Sequence, residues 1–177
     1  MAHPAQHEFC QEVKQRFPRA FRGRRVLEVG ARNVNGSVRD EFEDCFYVGV
    51  DSEAGEGVDV VCLAHDYEGN PASFDTVYTT ETLEHDPHAE KTLAHMLRLL
   101  KPGGLLFGTC AGEGRAEHGT RRTGKRYGPQ PDFYRNVSVG QIVDWLRATD
   151  TPLQELHVRH NPEAHDLYFF AVKGGAR

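Results

Sequence analysis

The chain has 177 residues, of which 27% are charged and 38% hydrophobic, and its formal net charge is -5 at pH 7. This balance is typical of a folded globular protein and argues against a disordered or membrane-spanning chain. The acidic excess excludes an overall electrostatic field that would attract nucleic acid.

The length predicts one domain over residues 1–177 with one site. The first residues lack the apolar core of a signal peptide, so we expect a cytoplasmic protein with no membrane partner. The four cysteines form no CxxC pair, which argues against a disulfide framework. Among ten histidines, neither His85 with His88 nor His160 with His165 has a third ligand at convincing spacing, so no metal site is expected.

Short apolar strands alternate with helical stretches, which predicts a mainly parallel sheet with helices on both faces. Phe9, Val13 and Phe17 recur every four residues and indicate a first helix. Strands are predicted at 25–29, 46–50, 58–63, 74–79 and 105–109, with a short helix after Gly36 carrying Val38 and Phe42. Only residues 52–57 separate the second strand from the third, so a loop replaces the usual crossover helix there.

The second half of the chain carries clearer helix signals. Asp86 is the expected N-cap and Pro87 the first residue of a helix whose buried stripe is Leu93, Met96, Leu97 and Leu100. Residues 101–104, Lys-Pro-Gly-Gly, end that helix. Residues 111–136 show no periodicity and predict a long irregular loop. Ser138 and Gln141 form a capping box for a last helix, and strands at 153–158 and 167–172 close the domain.

Acidic residues follow successive predicted strands. Glu28 and Gly30 lie where the first strand turns, and a glycine there lets a ligand approach the backbone. Asp51 ends the second strand and is well placed to accept hydrogen bonds from ribose hydroxyls. Asp66 and Tyr67 follow the third apolar run, where the acid could accept an adenine amino group or lie in solvent.

The ordered series VLEVG, YVGVD, HDYEG, SFDTVYTTETLEH and LRLLKPGGLLFGT, over residues 24–110, resembles the class I S-adenosylmethionine-dependent methyltransferases. The likeness is greatest to the type 11 group, which includes ubiquinone and menaquinone methyltransferases. It implies a Rossmann-like α/β fold with a seven-stranded, mostly parallel sheet, helices on both faces and an antiparallel last strand. The implied cofactor is S-adenosylmethionine, with S-adenosylhomocysteine as product.

By position, the resemblance implies contacts along the whole cofactor. The residues are Glu28, Gly30 and Ala31 at the methionine part, Asp51 and Ser52 at the ribose and adenine edge, Asp66 and Tyr67 at the adenine, and Thr80 and Glu81 beneath the sulfonium. Further glycines of the family pattern are replaced by Arg32 and Val34, so the loop must take a different path or leave the cofactor carboxylate to other donors.

The acceptor side is less defined by sequence. His85 and His118 are the candidate general bases for a hydroxyl acceptor. The basic loop with Arg121 and Arg122, followed by Tyr127 and Tyr134, suits an anionic or sugar-containing small molecule and, less well, nucleic acid. A cofactor-binding module without catalysis is the remaining alternative. A nicotinamide dehydrogenase is disfavoured because the G-x-G-x-x-G fingerprint is missing.

Overall fold

The computed structural model of the chain describes residues 4–34, 36–124 and 132–175. Within these ranges the chain forms seven strands and three α-helices, joined by short 3-10 turns. The bounds in chain order are α1 Pro4–Arg16, β1 Arg25–Val29, β2 Phe46–Asp51, β3 Val60–Val61, β4 Phe74–Thr80, α2 Ala89–Leu99, β5 Leu100–Ala111, α3 Val139–Arg147, β6 Leu153–Asn161 and β7 Asp166–Lys173.

The strands form one sheet in the order β3-β2-β1-β4-β5-β7-β6. β1 to β5 pair in parallel, and β7 runs antiparallel to both β5 and β6. The predicted seven-stranded, mostly parallel sheet with an antiparallel last strand is therefore confirmed. Because β1, β2 and β4 point the same way, the residues that follow them meet at one edge of the sheet.

Each face of the sheet packs against helices through its own apolar cluster. On one face, Leu93 and Met96 of α2 and Ile142 of α3 pack on the strands. On the other face, Phe9 and Val13 of α1 pack on them instead. Burying side chains of this size contributes about 1.5–3 kcal/mol each, so both helical layers stabilise the sheet edge that carries the site.

The helix after β4 begins later than its sequence signals indicate. Asp86 is not the N-cap and Pro87 is not helical, because α2 begins at Ala89 with His88 as its N-cap. The Asp86 carboxylate still acts near the helix start, where it accepts the backbone N–H of His88 at 2.7 Å and the hydroxyl of Thr92 at 2.6 Å. Its side chain thus caps the first turn from outside the helix.

Two other elements differ from the expected bounds. β5 begins at Leu100, so the Lys-Pro-Gly-Gly turn lies inside the strand, and the register against β4 shifts there. Only Val60–Val61 of the third apolar run pairs as a strand, and a single 3-10 turn, Arg39–Glu41, replaces the short helix after Gly36. The loop expected after Asp51 and the Ser138–Gln141 capping box are confirmed.

In the part of the chain that the structure describes, no helix has the length and apolar character needed to cross a bilayer.

Candidate functional site

A cleft with a cavity of about 200 Å³ opens at the carboxyl edge of the parallel strands. Loops after β1, β2, β3 and β4 form its walls, the start of α1 reaches into it, and residues near 118 and 132 close one end. Of the residues predicted to contact the cofactor or act in catalysis, the cleft brings together Glu28, Gly30, Ala31, Asp51, Ser52, Thr80, Glu81, His85 and His118.

Gly30 is held in a conformation that suits only glycine. Its φ is +78°, and a Cβ atom there would lie 1.9 Å from the Thr82 hydroxyl oxygen. The backbone N–H groups of Gly30 and Ala31 both bond to the carbonyl of Val50, at 2.9 and 3.1 Å. The turn after β1 is thereby pinned to the end of β2, which leaves its outer side facing the cleft.

Asp51 holds the two neighbouring loops together. One carboxylate oxygen accepts the backbone N–H of Arg32 at 3.1 Å, and the other accepts that of Glu53 at 3.0 Å. The Arg32 guanidinium pairs with the Glu53 carboxylate. This loop therefore closes by side-chain bonds where the family pattern would have further glycines.

Glu28 lies at the base of the cleft beneath the same loop. Only 3% of the residue is exposed, and its carboxylate accepts the hydroxyl of Tyr47, which in turn bonds to that of Tyr78. Burial raises the pKa of Glu28 to about 7 although the two tyrosines lower it. The group can thus change charge near neutral pH at a position open to a ligand.

Asp66 and Tyr67 lie outside the cleft. The Asp66 side chain is 64% exposed, and Tyr67 packs against the apolar cluster of α2. Leu63, Ala64 and His65 line the cleft in their place. The segment after β3 therefore contacts the site through the residues just before Asp66, with two apolar side chains and an imidazole.

Glu81 and Gln6 meet deep in the cleft. Glu81 has a φ of +52°, and its carboxylate accepts the hydroxyl of Thr109 at 3.1 Å. Burial and the nearby charge of Asp166 raise the pKa of Glu81. Sequence reasoning missed Gln6, although a glutamine on the apolar face of α1 is a signal that could have found it.

His85 and His118 come together at the end of the cleft with Tyr134. The three rings pack edge to face, with centroids 5.1–5.4 Å apart. Burial lowers the pKa of His85 to about 4, helped by His118. The His118 Nε2 atom lies 3.7 Å from a carboxylate oxygen of Glu84, which is fully buried.

The predicted acceptor residues fall at the rim or outside the described chain. The Arg122 guanidinium is 2.6 Å from the Glu117 carboxylate, and the backbone N–H of Arg121 bonds to Asp132 at 3.0 Å. Neither arginine lines the cleft, although Asp132 does. Tyr127 lies outside the described residues.

The sequence of the chain is similar to those of known methyltransferases. A family model described as a methyltransferase domain matches residues 1–147. The ubiquinone biosynthesis O-methyltransferase of Saccharophagus degradans is 27% identical over 119 residues, which are 62% of this chain and 50% of that protein. The chain thus spans about half the length of this curated relative.

Solved structures share the fold at low identity. Phosphoethanolamine N-methyltransferase 2 of Haemonchus contortus, solved with phosphomonomethylethanolamine and S-adenosylhomocysteine, has a TM-score of 0.66 and 21% identity, covering 95% of this chain and 52% of that one. The [4+2]-cyclase SpnF has a TM-score of 0.68 and 16% identity, covering 97% and 82%. Since these neighbours include a cyclase, the shared fold alone does not define a reaction.

Proposed function

This chain belongs to the class I S-adenosylmethionine-dependent methyltransferases, and on that premise we propose that it transfers a methyl group from S-adenosylmethionine to an oxygen or nitrogen of a small acceptor. The observation that carries the proposal is the convergence of Glu28, Gly30, Asp51 and Glu81 on one cleft from the ends of three parallel strands. Acids and a bare backbone at this edge suit an adenosyl ligand with an ammonium group.

The cofactor would lie along the cleft from the loop after β3 to the end of β4. Leu63 and Ala64 offer apolar contact to the adenine, and Asp51 offers oxygen atoms to the ribose hydroxyls. Glu28 faces the expected place of the ammonium group, and Thr80 and Glu81 lie below the sulfonium. The exposed Asp66 and the partly buried Tyr67 have no part in this arrangement.

The acceptor would enter from the end of the cleft formed by residues 111–136. The sulfonium methyl is already electron-poor, so the protein's task is to align the acceptor and exclude water. The acceptor atom forms a bond to the methyl carbon as the bond from sulfur to carbon breaks, which leaves a neutral thioether. A hydroxyl acceptor also loses its proton, for which His85 and His118 are the nearest bases.

The pairing of Arg121 and Arg122 with acids favours a small acceptor over nucleic acid. Their guanidinium groups lie 4.0 Å from Asp132 in each case, and Arg122 also contacts Glu117. Cations already paired within the loop offer less to a phosphate backbone than free ones do. We propose that they hold the loop in place over the acceptor, within a single domain over residues 1–177.

The proposal is tested by calorimetric titration with S-adenosylhomocysteine. We expect 1:1 binding by the wild-type chain and at least about tenfold weaker binding by Asp51→Asn. Asp66→Asn is the matched control, since it changes a carboxylate outside the cleft, and it should bind as the wild type does. No binding by the wild type, or tighter binding of NADH, would overturn the proposal.

A further inference from the structure

Glu84 is a fully buried carboxylate whose oxygens both lack a hydrogen bond of ordinary geometry from the described residues. A charge placed there without compensation costs several kcal/mol, so such a group is either protonated or paired with a cation. It lies in the loop after β4 between the cleft residues Thr82 and His85, and one of its oxygens is 3.7 Å from His118 Nε2. This carboxylate is not used by the proposed methyl transfer.

Two imidazoles complete a set of three potential ligands. One ligand atom from each of Glu84, His85 and His118 lies within 4.8 Å of the others. Ligands around a tetrahedral zinc ion lie roughly 3.4 Å apart, given bonds of about 2.1 Å. Small side-chain rotations would therefore bring the three groups onto one ion.

The hydrogen bond of His118 favours this role. His118 Nδ1 lies 3.1 Å from the carbonyl oxygen of Ala116, which can only accept, so this nitrogen carries the proton and Nε2 presents its lone pair near Glu84. Metal-ligating histidines commonly donate their second N–H to a backbone carbonyl in this manner. The His85 ring packs edge to face against the rings of His118 and Tyr134.

We propose that Glu84, His85 and His118 bind a divalent first-row transition metal ion. Two histidines and one carboxylate are the ligand set of open zinc and iron(II) sites, which keep positions for water or substrate. The sequence suggests His88 as the partner of His85 because the two are close along the chain. In the structure the partner is His118, which is 33 residues away in a loop that folds back toward His85. The expectation that the chain has no metal site is revised accordingly.

The open positions of the ion would face the cleft, since His85 and His118 both line it. With the ion bound, His85 and His118 would be its ligands instead of general bases. The cation would lower the pKa of a coordinated hydroxyl, so that its proton passes to water, and would orient the oxygen. This role in acceptor binding rests on the proposed methyl transfer, whereas metal binding itself does not. An oxygen acceptor would then be favoured over a nitrogen acceptor.

The experiment is a titration of the metal-free, full-length chain with Co²⁺, followed by visible absorption and calorimetry without any cofactor. We expect one ion per chain and the d–d bands of a site with nitrogen and oxygen ligands. Glu84→Gln and His118→Ala should each weaken binding at least tenfold. His160→Ala is the control, because it removes one ring of a histidine pair, His160 and His165, that lies outside the cleft.

The outcomes separate a metal site from a structural cluster. The His118 side chain is 31% exposed, so His118→Ala should keep the fold even if Glu84→Gln does not, and circular dichroism checks both. Absence of stoichiometric binding to the wild type, or equal binding by folded His118→Ala, overturns the proposal. Titration of the same samples with S-adenosylhomocysteine reports separately on the cofactor site, so failure of one does not imply failure of the other.

Discussion

Among single residues, Gly30 has the least room for change, because a Cβ atom would overlap the Thr82 hydroxyl and φ lies in the left-handed region. Gly30→Ala must therefore shift the loop after β1, which lines the cleft and is held to β2 by the bonds of Gly30 and Ala31 to the Val50 carbonyl. We predict a loss of about 1–3 kcal/mol in the free energy of unfolding, which is the range typical of backbone strain. We also predict at least tenfold weaker binding of S-adenosylhomocysteine, measured by calorimetry.

Gly103→Ala is the control for this change. Its φ of +75° is similar, but nothing lies within 4 Å of the added atom. It should lose stability and keep cofactor affinity. Equal affinity for both variants and the wild type would contradict the role assigned to Gly30.

Glu28 links stability to pH. Burial raises its pKa to about 7 in the folded chain from 4.5, although Tyr47, Tyr78 and Arg39 oppose the shift. Between these values the unfolded chain releases a proton that the folded chain keeps, so this group makes stability fall as pH rises from about 4.5 to about 7, with little change above. The full effect is at most about 3 kcal/mol.

Glu28→Gln should remove that part of the pH dependence. We predict that the variant gains stability relative to the wild type between pH 5 and pH 8, measured by urea unfolding at both values. Glu8→Gln, which changes an exposed acid of α1, should leave the difference between the two pH values unaltered. A Glu28→Gln variant with the wild-type slope would show that Glu28 ionises normally in the folded chain.

At the scale of elements, α3 begins with a capping box and lies outside the cleft, so variants there should change the stability of the chain without changing ligand binding. The Ser138 hydroxyl accepts the N–H of Gln141, and the Gln141 side chain accepts that of Ser138. Ser138→Ala should destabilise the chain by about 1 kcal/mol. Gly140→Ala, whose added atom meets only the Ser138 oxygen at 3.8 Å, should stabilise it by up to about 1 kcal/mol.

Both variants should bind S-adenosylhomocysteine as the wild type does, since α3 contributes no residue to the cleft. Urea unfolding and calorimetry on the same samples check the two expectations. Reduced cofactor affinity in either variant would mean that α3 supports the site, contrary to its position.

Elements with local signals were predictable, and contacts that depend on the fold were not. The apolar run of β1 and the capping box of α3 gave correct bounds because short-range pattern determines them. Asp86 was misplaced as N-cap because it bonds to His88 and Thr92 from outside the helix.

The same division holds in the site. Acids that end parallel strands, such as Asp51, must meet at one edge, so they could be found from the sequence. The approach of His118 to Glu84 depends on the path of a long irregular segment, which no periodicity determines. Gln6 reaches the cleft only because α1 packs across the end of the sheet.

At the scale of the whole molecule, the cleft is formed by elements from both faces of the sheet. Gln6 comes from α1, which packs on one face, and His85 comes from the loop before α2, which packs on the other. A ligand that binds only this assembled state must stabilise both layers together. We predict that S-adenosylhomocysteine at 100 times its Kd raises the unfolding free energy by about 2.7 kcal/mol. For a chain of this size, that is a rise in Tm of roughly 5–10 °C.

The single tryptophan, Trp145 of α3, and far-UV circular dichroism give independent probes of this transition. If residues 1–177 form one cooperative domain, both probes should report one Tm and shift equally with the ligand. A tryptophan transition that stays in place while the circular dichroism transition moves would show that α3 unfolds apart from the cleft. That result would divide the chain into two units and confine the cofactor's effect to one of them.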